Sequence, residues 1–234
     1  PEDEILLILG EKYPDLSQEI LSKILQTFLT LTNDINVKKN PYSQHLSLRH
    51  IIKWTHRIAH SNQFDHTKPS TFLAESQRFL ICSEAIDLFC GFMKSQKSRH
   101  EVATLISNIW DIDDTIAASR FTFKPSLKLA GYGLHNANVP QLNIGRSTLS
   151  VLNASYAKKK LVQAAQKFAL TGQAARLLEK ISVCVKHVEP VLLVGETGCG
   201  KTTVIQYLAN LLGQNLVVHN LNIQSDSSEL LGGF

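Results

Sequence analysis

Apolar residues recur every three or four positions through much of the first 110 residues, which is the spacing of amphipathic helices. Turn signals such as KKNPYS and SNQFDHTKPS divide this pattern into four predicted helices, and Ser47 is placed to cap the second. The apolar faces of the four helices are, in chain order, Leu16, Ile20, Ile24, Phe28 and Leu31; Leu48, Ile51, Ile52, Thr55 and Ile58; Phe72, Phe79, Cys82, Ile86, Phe89 and Met93; Val102, Leu105, Ile106 and Ile109. The pattern predicts an all-α bundle over residues 1–110.

The composition shifts toward Gly, Asn, Pro and Ser after this bundle. The segment VPQLNIGRSTLSVL, residues 139–152, alternates apolar and polar positions in the manner of a short hairpin or edge strand. Helical spacing resumes in SYAKKKLVQAAQKFAL, residues 155–170. Residues 111–170 are therefore interpreted as a connector that contains a short strand or hairpin and a helix.

The last part of the chain, residues 171–234, combines both kinds of pattern. After Thr171 a helix is predicted with Ala175, Leu178, Ile181 and Val185 on its apolar face. The run VLLVG, residues 191–195, is typical of a strand buried in a parallel sheet, and LVVHN, residues 216–220, predicts a second strand after the helix TTVIQYLANLLG. The predicted fold class is α/β overall, in which all-α residues precede the first strand, phosphate loop, helix and strand of an incomplete parallel sheet.

The turn between that strand and helix has the pattern G-x-x-x-x-G-K-[ST] of a phosphate-binding loop. Its residues are Gly195, Glu196, Thr197, Gly198, Cys199, Gly200, Lys201 and Thr202. Glycines let the backbone N–H groups surround a phosphate, and the helix N-terminus adds its positive end. Lys201, the predicted catalytic residue, supplies a cation to the β- and γ-phosphates, Thr202 is placed to ligate Mg²⁺, and Thr203 offers a further hydroxyl. The loop predicts binding of a nucleotide with Mg²⁺, and the alternative is a glycine-rich structural turn.

Cys199 occupies a variable position of the loop and has two interpretations. It either fills the position without a role, or it is a reactive thiol beside a helix N-terminus and a lysine. The other cysteines, Cys82, Cys90 and Cys184, show no metal-ligand spacing, so all four are expected to be free thiols.

Composition narrows the class of protein. Hydrophobic residues make up 44% of the chain, as in a globular protein, and the net charge of +4 does not by itself indicate nucleic acid binding. The basic run at residues 158–160 is interpreted as a solvated helix face. No run reaches the length of a membrane span, and the acidic N-terminus does not have the layout of a signal peptide. We expect a soluble intracellular protein with neither a membrane contact nor a direct nucleic-acid site.

Hydrolysis of ATP needs an acidic residue at the end of a later buried strand. The only acids after Lys201 are Asp226 and Glu229, and neither follows an apolar strand. The two predicted strands are also fewer than a stable sheet needs. The sequence therefore predicts little or no hydrolysis by these residues alone and is interpreted as part of something longer.

Several segments resemble the midasin family of dynein-related AAA+ ATPases. EPVLLVGETGCGKTTVIQYLA and NIQSDSSELLGGF resemble the start of an AAA+ module of this family. HLSLRHIIKWTHRIAH and FLICSEAIDLFCGFM resemble helices of the lid that closes a preceding module. LNIGRSTL resembles a short strand motif between modules, and FALTGQAARLLEKISVCV the helix that leads to the phosphate loop. The resemblance covers nearly the whole chain.

The resemblance implies that residues 1–110 are the lid of one AAA+ module and residues 171–234 the N-terminal part of the next. Gly195 to Thr202 would be its Walker A loop, and Arg49 would be the lid arginine called sensor 2, which contacts the nucleotide of the preceding module. The sequence departs from the family at Cys199, where threonine is usual, and at Gly172-Gln173, where Arg-Pro is usual.

The family implies a ring of six modules in one polypeptide, which uses ATP to remove assembly factors from precursors of the large ribosomal subunit. The implied partners are ATP, these pre-ribosomal particles with their assembly factors, and the neighbouring modules of the same chain. The implied location is the nucleus, in the nucleolus and nucleoplasm.

Two alternatives remain from the sequence. One is a truncated product whose helical part is a non-catalytic interaction module. The other is a phosphate-loop kinase or GTPase, which the long helical region and the lack of an N-K-x-D motif disfavour.

Overall fold

A computed structural model describes residues 2–33, 46–61, 73–93, 95–130, 140–152 and 168–221. The chain forms two compact units, residues 1–123 and residues 124–234, which are described separately. Among the described residues no helix is both long and apolar enough to cross a membrane.

The described part of the first unit is entirely helical. Its helices are α1 (Glu2–Lys12), α2 (Gln18–Asn33), α3 (Leu48–Ala59), α4 (Glu75–Cys90), α5 (Gln96–Ile109) and α6 (Asp114–Ser119). The four predicted helices are confirmed as α2 to α5, with Ser47 as the N-cap of α3. The sequence analysis missed α1 and α6. The three acids that begin α1 suit the positive end of a helix, and α1 places Leu9 in the core.

Three large aromatic side chains, Trp54, Phe89 and Trp110, form the centre of the first core. The Trp54 ring meets the Phe89 and Trp110 rings edge to face, with centroids 5.6 and 6.1 Å away. Both indoles are fully buried, and both donate a hydrogen bond: Trp54 Nε1 to Ile81 O and Trp110 Nε1 to Thr27 Oγ1, each at 3.1 Å. Of the predicted apolar faces, that of α2 is fully buried. Leu48 is exposed instead, and Phe72 lies outside the described residues.

Two buried ion pairs cross this core, and both use carboxylates of α4. Arg57 on α3 donates to Glu84 at 2.8 Å, and Arg120 just after α6 donates to Asp87 at 2.9 Å. All four side chains are less than a tenth exposed. Such pairs are compatible with a core only when each charge has its partner, so they fix how α3, α4 and the end of α6 meet.

The second unit contains an antiparallel sheet and two helices among its described residues. The sheet has the order β1 (Leu127–Ala130), β2 (Gln141–Ile144), β3 (Ser147–Ser150), and the helices are α7 (Gly172–Lys186) and α8 (Lys201–Leu212). The predicted hairpin is confirmed as β2 and β3, which pair antiparallel with Ile144 opposite Ser147. Strand β1 was not predicted. The domain bounds at residues 110 and 170 stay predictions.

The apolar sides of the hairpin and of both helices share one core. Its buried residues are Leu142, Ile144, Leu149, Val151, Leu178, Ile181, Val204, Tyr207, Leu208, Leu211 and Leu212. Helix α7 begins after Thr171, as predicted, because the Thr171 hydroxyl accepts a hydrogen bond from Ala174 N at 3.2 Å. Val185, predicted on the buried face of α7, is 46% exposed, so that prediction was wrong.

The two predicted parallel strands do not form in this structure. Residues 191–195 and 216–220 are described, and neither segment is a strand. Leu192 and Val194 are 87% and 86% exposed, and Val217 is 74% exposed. The prediction was wrong because an apolar run becomes a buried strand only when neighbouring strands take its hydrogen bonds, and the only sheet among the described residues is the local β1–β3 sheet. The helix predicted at residues 155–170 falls mostly outside the described residues.

Candidate nucleotide-binding site

The candidate site is the phosphate-binding loop at residues 195–202, which lies between α7 and α8 and includes the first residues of α8. Helix α7 ends in a left-handed turn: Val188 has φ +53°, Val188 N donates to Val185 O at 3.1 Å, and Glu189 N donates to Cys184 O at 2.8 Å. The side chains from Pro190 to the loop are exposed, except that of Leu193, which is half-buried against the core of the second unit. Helix α8 begins at Lys201, directly after Gly200, as the sequence predicted.

Two glycines give the loop a shape that other residues adopt only under strain. Gly198 and Gly200 have φ +84° and +83°, in the left-handed region. No heavy atom lies within 4 Å of the position that a Cβ would take at either residue. Gly200 is the N-cap of α8, and none of the described side chains caps it. The first turn of α8 thus presents its N–H groups and its positive end beside an open surface.

The ammonium group of Lys201 lies over this loop. Lys201 Nζ donates to Gly195 O at 2.8 Å and to Glu196 O at 2.7 Å, and it lies 3.5 Å from Cys199 Sγ. The structure therefore brings three of the predicted loop residues together around the Lys201 cation. Glu196, Thr197 and Cys199 are exposed, as are Thr202 and Thr203 in the first turn of α8.

The loop residues fit a phosphate group and its metal ion by their chemistry. Open glycine positions, an uncapped helix N-terminus and a lysine ammonium are the groups that hold phosphate oxygens. The Thr202 hydroxyl, exposed one residue after Lys201, is an oxygen ligand of the kind that Mg²⁺ takes.

Arg49 lies in the other unit, exposed in the first turn of α3. Its predicted contact with a nucleotide stays a prediction.

The four cysteines are all free thiols, but they differ in environment. Cys82 is buried in the first core, and burial raises the pKa of its thiol to about 12. Cys199 is exposed in the loop beside the Lys201 ammonium. Cys199, in the candidate site, is therefore the thiol most accessible to a reagent.

Sequence reasoning missed Glu179 on α7, which is 1% exposed and contacts the hairpin turn at Arg146. A signal was present, since Glu179 lies between Leu178 and Ile181, both on the buried face of α7. A carboxylate next to that face needs a buried partner, and the Gly-Arg pair in the predicted hairpin supplies one.

Comparison with known proteins gives two family matches. Residues 4–113 match the Midasin AAA lid domain, and residues 190–234 match the AAA domain of the dynein-related subfamily. The chain is 32% identical to the midasin of Dictyostelium discoideum over 206 residues, which cover 83% of the chain. The chain is midasin-like. The resemblance noted from the sequence is thereby confirmed.

The match to the midasin of Giardia intestinalis is shorter and closer, with 50% identity over 64 residues, or 27% of the chain. The matched parts amount to 4% of the Dictyostelium discoideum protein and 1% of the Giardia intestinalis protein, so the midasin-like chain spans a small share of these relatives. No solved structure matches the chain.

Proposed function

We propose that the second unit binds ATP as part of a midasin-like AAA+ ATPase. The observation that carries the proposal is the loop GETGCGKT at the start of α8, where the Lys201 ammonium lies 2.8 and 2.7 Å from the carbonyl oxygens of Gly195 and Glu196. A cation held by neutral carbonyl groups in an exposed loop is available to a ligand with more negative charge. The AAA match over residues 190–234 supports the same interpretation.

Each loop residue has a role in this proposal. Lys201 exchanges its carbonyl partners for the β- and γ-phosphate oxygens, while the loop N–H groups and the N-terminus of α8 hold the remaining phosphate charge. Thr202 would hold Mg²⁺, and Thr203 offers a second hydroxyl on the same turn. Mg²⁺, when bound, neutralises part of the phosphate charge. Cys199 lies beside the start of the loop, because its Sγ is 3.3 Å from the position that a Cβ would take at Gly195.

Arg49 acts on a different nucleotide in this proposal. It stands exposed at the N-terminal end of α3, in the unit that matches the midasin lid. We assign it to the nucleotide of the preceding AAA+ module, as the family resemblance implies.

Equilibrium binding of a fluorescent ATP analogue to the whole chain, with Mg²⁺ present, tests the proposal. Lys201→Ala is expected to raise the Kd at least about tenfold, because a charge-assisted contact with the phosphates is lost. Lys186→Ala is the matched control, since Lys186 is exposed on the last turn of α7 and outside the loop. Unlabelled ATP and GTP added as competitors separate the ATPase from the GTPase alternative.

Equal affinities for the Lys201→Ala and Lys186→Ala variants would contradict the role of the loop. Failure of the unaltered chain to bind any nucleotide would favour the alternative of a non-catalytic interaction module. Phosphate release measured on the same samples is expected to be very slow, because no acid follows an apolar strand after Lys201 in this sequence.

The parent protein, in this proposal, uses ATP hydrolysis in the nucleus to remove assembly factors from large ribosomal subunit precursors. The match to midasins along 83% of the chain supports this role. An antibody against residues 1–110, applied to nuclear extract after native size separation, is expected to detect a far larger protein that migrates with pre-ribosomes. A single species near 26.1 kDa would contradict the role and favour the interaction module.

A further inference from the structure

The hairpin of the second unit is fastened to both helices that flank the loop. Beyond the shared core, Leu152 N, just after β3, donates to Leu212 O at the end of α8 at 3.1 Å. At its opposite end, the hairpin turn Gly145-Arg146 contacts α7 through Glu179. The hairpin therefore links α7 to α8 by two polar attachments at its two ends.

At the hairpin turn, both oxygens of the Glu179 carboxylate contact Arg146. Arg146 N donates to Glu179 Oε1 at 3.0 Å, and Arg146 Nη1 lies 3.3 Å from Glu179 Oε2. Gly145 has φ +56°, and a Cβ there would lie 2.6 Å from Glu179 Cδ. The carboxylate thus occupies the space that a side chain at Gly145 would take. This close contact fixes the position of the turn against α7.

The positions of α7 and α8 determine where the loop begins and ends. Helix α7 ends at Lys186 and α8 begins at Lys201, and residues 191–196 between them belong to no described sheet. All six are exposed except Leu193, which is half-buried. With no ladder to hold that segment, its described anchors are the two helices and the contact of Leu193 with the core that these helices share with the hairpin. A displacement of α7 against α8 would change the spacing between Gly195 O and Lys201 Nζ, now 2.8 Å.

We infer that Glu179 is a positioning residue for the nucleotide loop: its carboxylate, clamped to the Gly145-Arg146 turn, holds α7 in register with α8. This inference rests on the proposed function. Glu179 lies on the buried face of α7, so it acts through the two helices and does not touch the nucleotide. Buried polar contacts of this kind stabilise one arrangement because each alternative leaves a charge without its partner.

The test measures the Kd of the fluorescent ATP analogue for whole-chain variants, at a temperature where circular dichroism shows each of them fully folded. Glu179→Ala removes both contacts, and we expect about a tenfold rise in Kd, the scale on which losing a supporting partner affects a binding site. Glu179→Gln keeps an acceptor for Arg146 N and is expected to restore most of the affinity. Arg146→Met added to Glu179→Ala is expected to cause no further loss, because both act through one contact.

Glu84→Gln is the matched control, because it weakens an equally buried ion pair in the first unit. It is expected to lower thermal stability and leave the Kd unchanged. An equal loss of affinity in Glu84→Gln, or an unchanged Kd in Glu179→Ala, would overturn the inference while the proposed function stands. Absence of binding by the unaltered chain would overturn both. If Glu179→Ala does not fold, Glu179→Met combined with Arg146→Met decides the question, because this double variant keeps the side-chain volume and removes both contacts. Unchanged affinity in that variant would contradict the inference.

Discussion

Helix α5 in the first unit and helix α7 in the second each end in a left-handed turn of the same type. The contacts that stabilise the two turns differ. The residue after the cap is left-handed in both, Asp111 and Val188, each with φ +53°. The next amide, of Ile112 or Glu189, bonds back into the last turn at 3.0 or 2.8 Å. Glycine is usual at this position because a Cβ crowds the backbone there.

In the first unit, polar contacts offset the cost of the left-handed backbone at Asp111. The left-handed residue of the second unit, Val188, is of a different kind. Asp111 is a residue type that tolerates left-handed backbone, its carboxylate pairs with Lys23 at 3.0 Å, and its carbonyl accepts from Arg78 at 2.9 Å. Val188 is β-branched and 91% exposed. The comparison shows that the first unit uses polar contacts to fix its turns, whereas the second places backbone strain at the start of the segment that leads to the nucleotide loop.

The largest effect on stability is expected from breaking the buried ion pair between Arg57 and Glu84 in the first unit. Glu84→Ala leaves the Arg57 guanidinium buried without its carboxylate, which costs about 3–5 kcal/mol in the free energy of unfolding. Denaturant unfolding followed by tryptophan fluorescence measures it, since Trp54 and Trp110 lie in this core. Glu101→Ala, which breaks an exposed pair with Lys97, is the control and should change stability by less than about 0.5 kcal/mol. A loss below about 1 kcal/mol for Glu84→Ala would contradict the structural role of the pair.

A smaller loss is expected at the hairpin turn of the second unit. Gly145→Ala places a Cβ against the Glu179 carboxylate at φ +56°, and it should cost about 2 kcal/mol. Gly198→Ala provides a comparison, because its φ of +84° is equally unfavourable but no atom lies within 4 Å of the added Cβ. Thermal unfolding of both variants measures the difference. Equal losses at the two positions would show that the contact with Glu179 adds nothing.

A gain in stability is expected when the backbone strain at Val188 is relieved. Val188→Gly removes the side chain that disfavours φ +53° and should raise the free energy of unfolding by about 1 kcal/mol, after allowing for the greater freedom of glycine in the unfolded chain. Asp111→Gly, made at the equivalent turn of α5, should give no gain because it loses the pair with Lys23. Denaturation midpoints of the two variants decide this, and a matching gain at Asp111 would remove the contrast between the turns.

Near neutral pH the smallest effect on stability is expected at the cysteines, where the two units differ in the exposure of their thiols. A thiol reagent added to the native chain should label Cys199 first, and Cys82 only after unfolding. Peptide mass spectrometry over time measures the order. Since the native Cys82 thiol has a pKa of about 12 against 9.0 normally, the unfolded chain loses this proton first, and stability falls as the pH rises from about 9 toward 12. Early labelling of Cys82 at neutral pH would contradict the burial of this thiol.

Features that depend on neighbours in sequence were predictable. The helix caps at Ser47 and Thr171, the left-handed glycines of the loop and the start of α8 follow from short motifs, because their hydrogen bonds join residues a few positions apart. The hairpin was predictable for the same reason, since a two-residue turn fixes its register.

Features that depend on distant neighbours were missed. The apolar segments at 191–195 and 216–220 have the composition of buried strands, but composition does not say which strand lies beside them. The pair of Arg57 with Glu84 joins residues 27 positions apart, and the contact of Arg146 with Glu179 spans 33. A helical pattern can place a charged residue beside the buried face, as it does for Glu179, but it does not say which distant residue is the partner.

Helix α4 carries both Glu84 and Asp87, three residues apart, and each holds a different part of the first unit. One rotation of α4 about its axis would break both ion pairs together, so α3 and the segment after α6 both depend on the orientation of this one helix. Amide hydrogen exchange in these segments should therefore report a single opening free energy, as expected of one cooperative folding unit. Two buried charges on one face of α4 are thus expected to link the opening of α3 to that of the segment after α6.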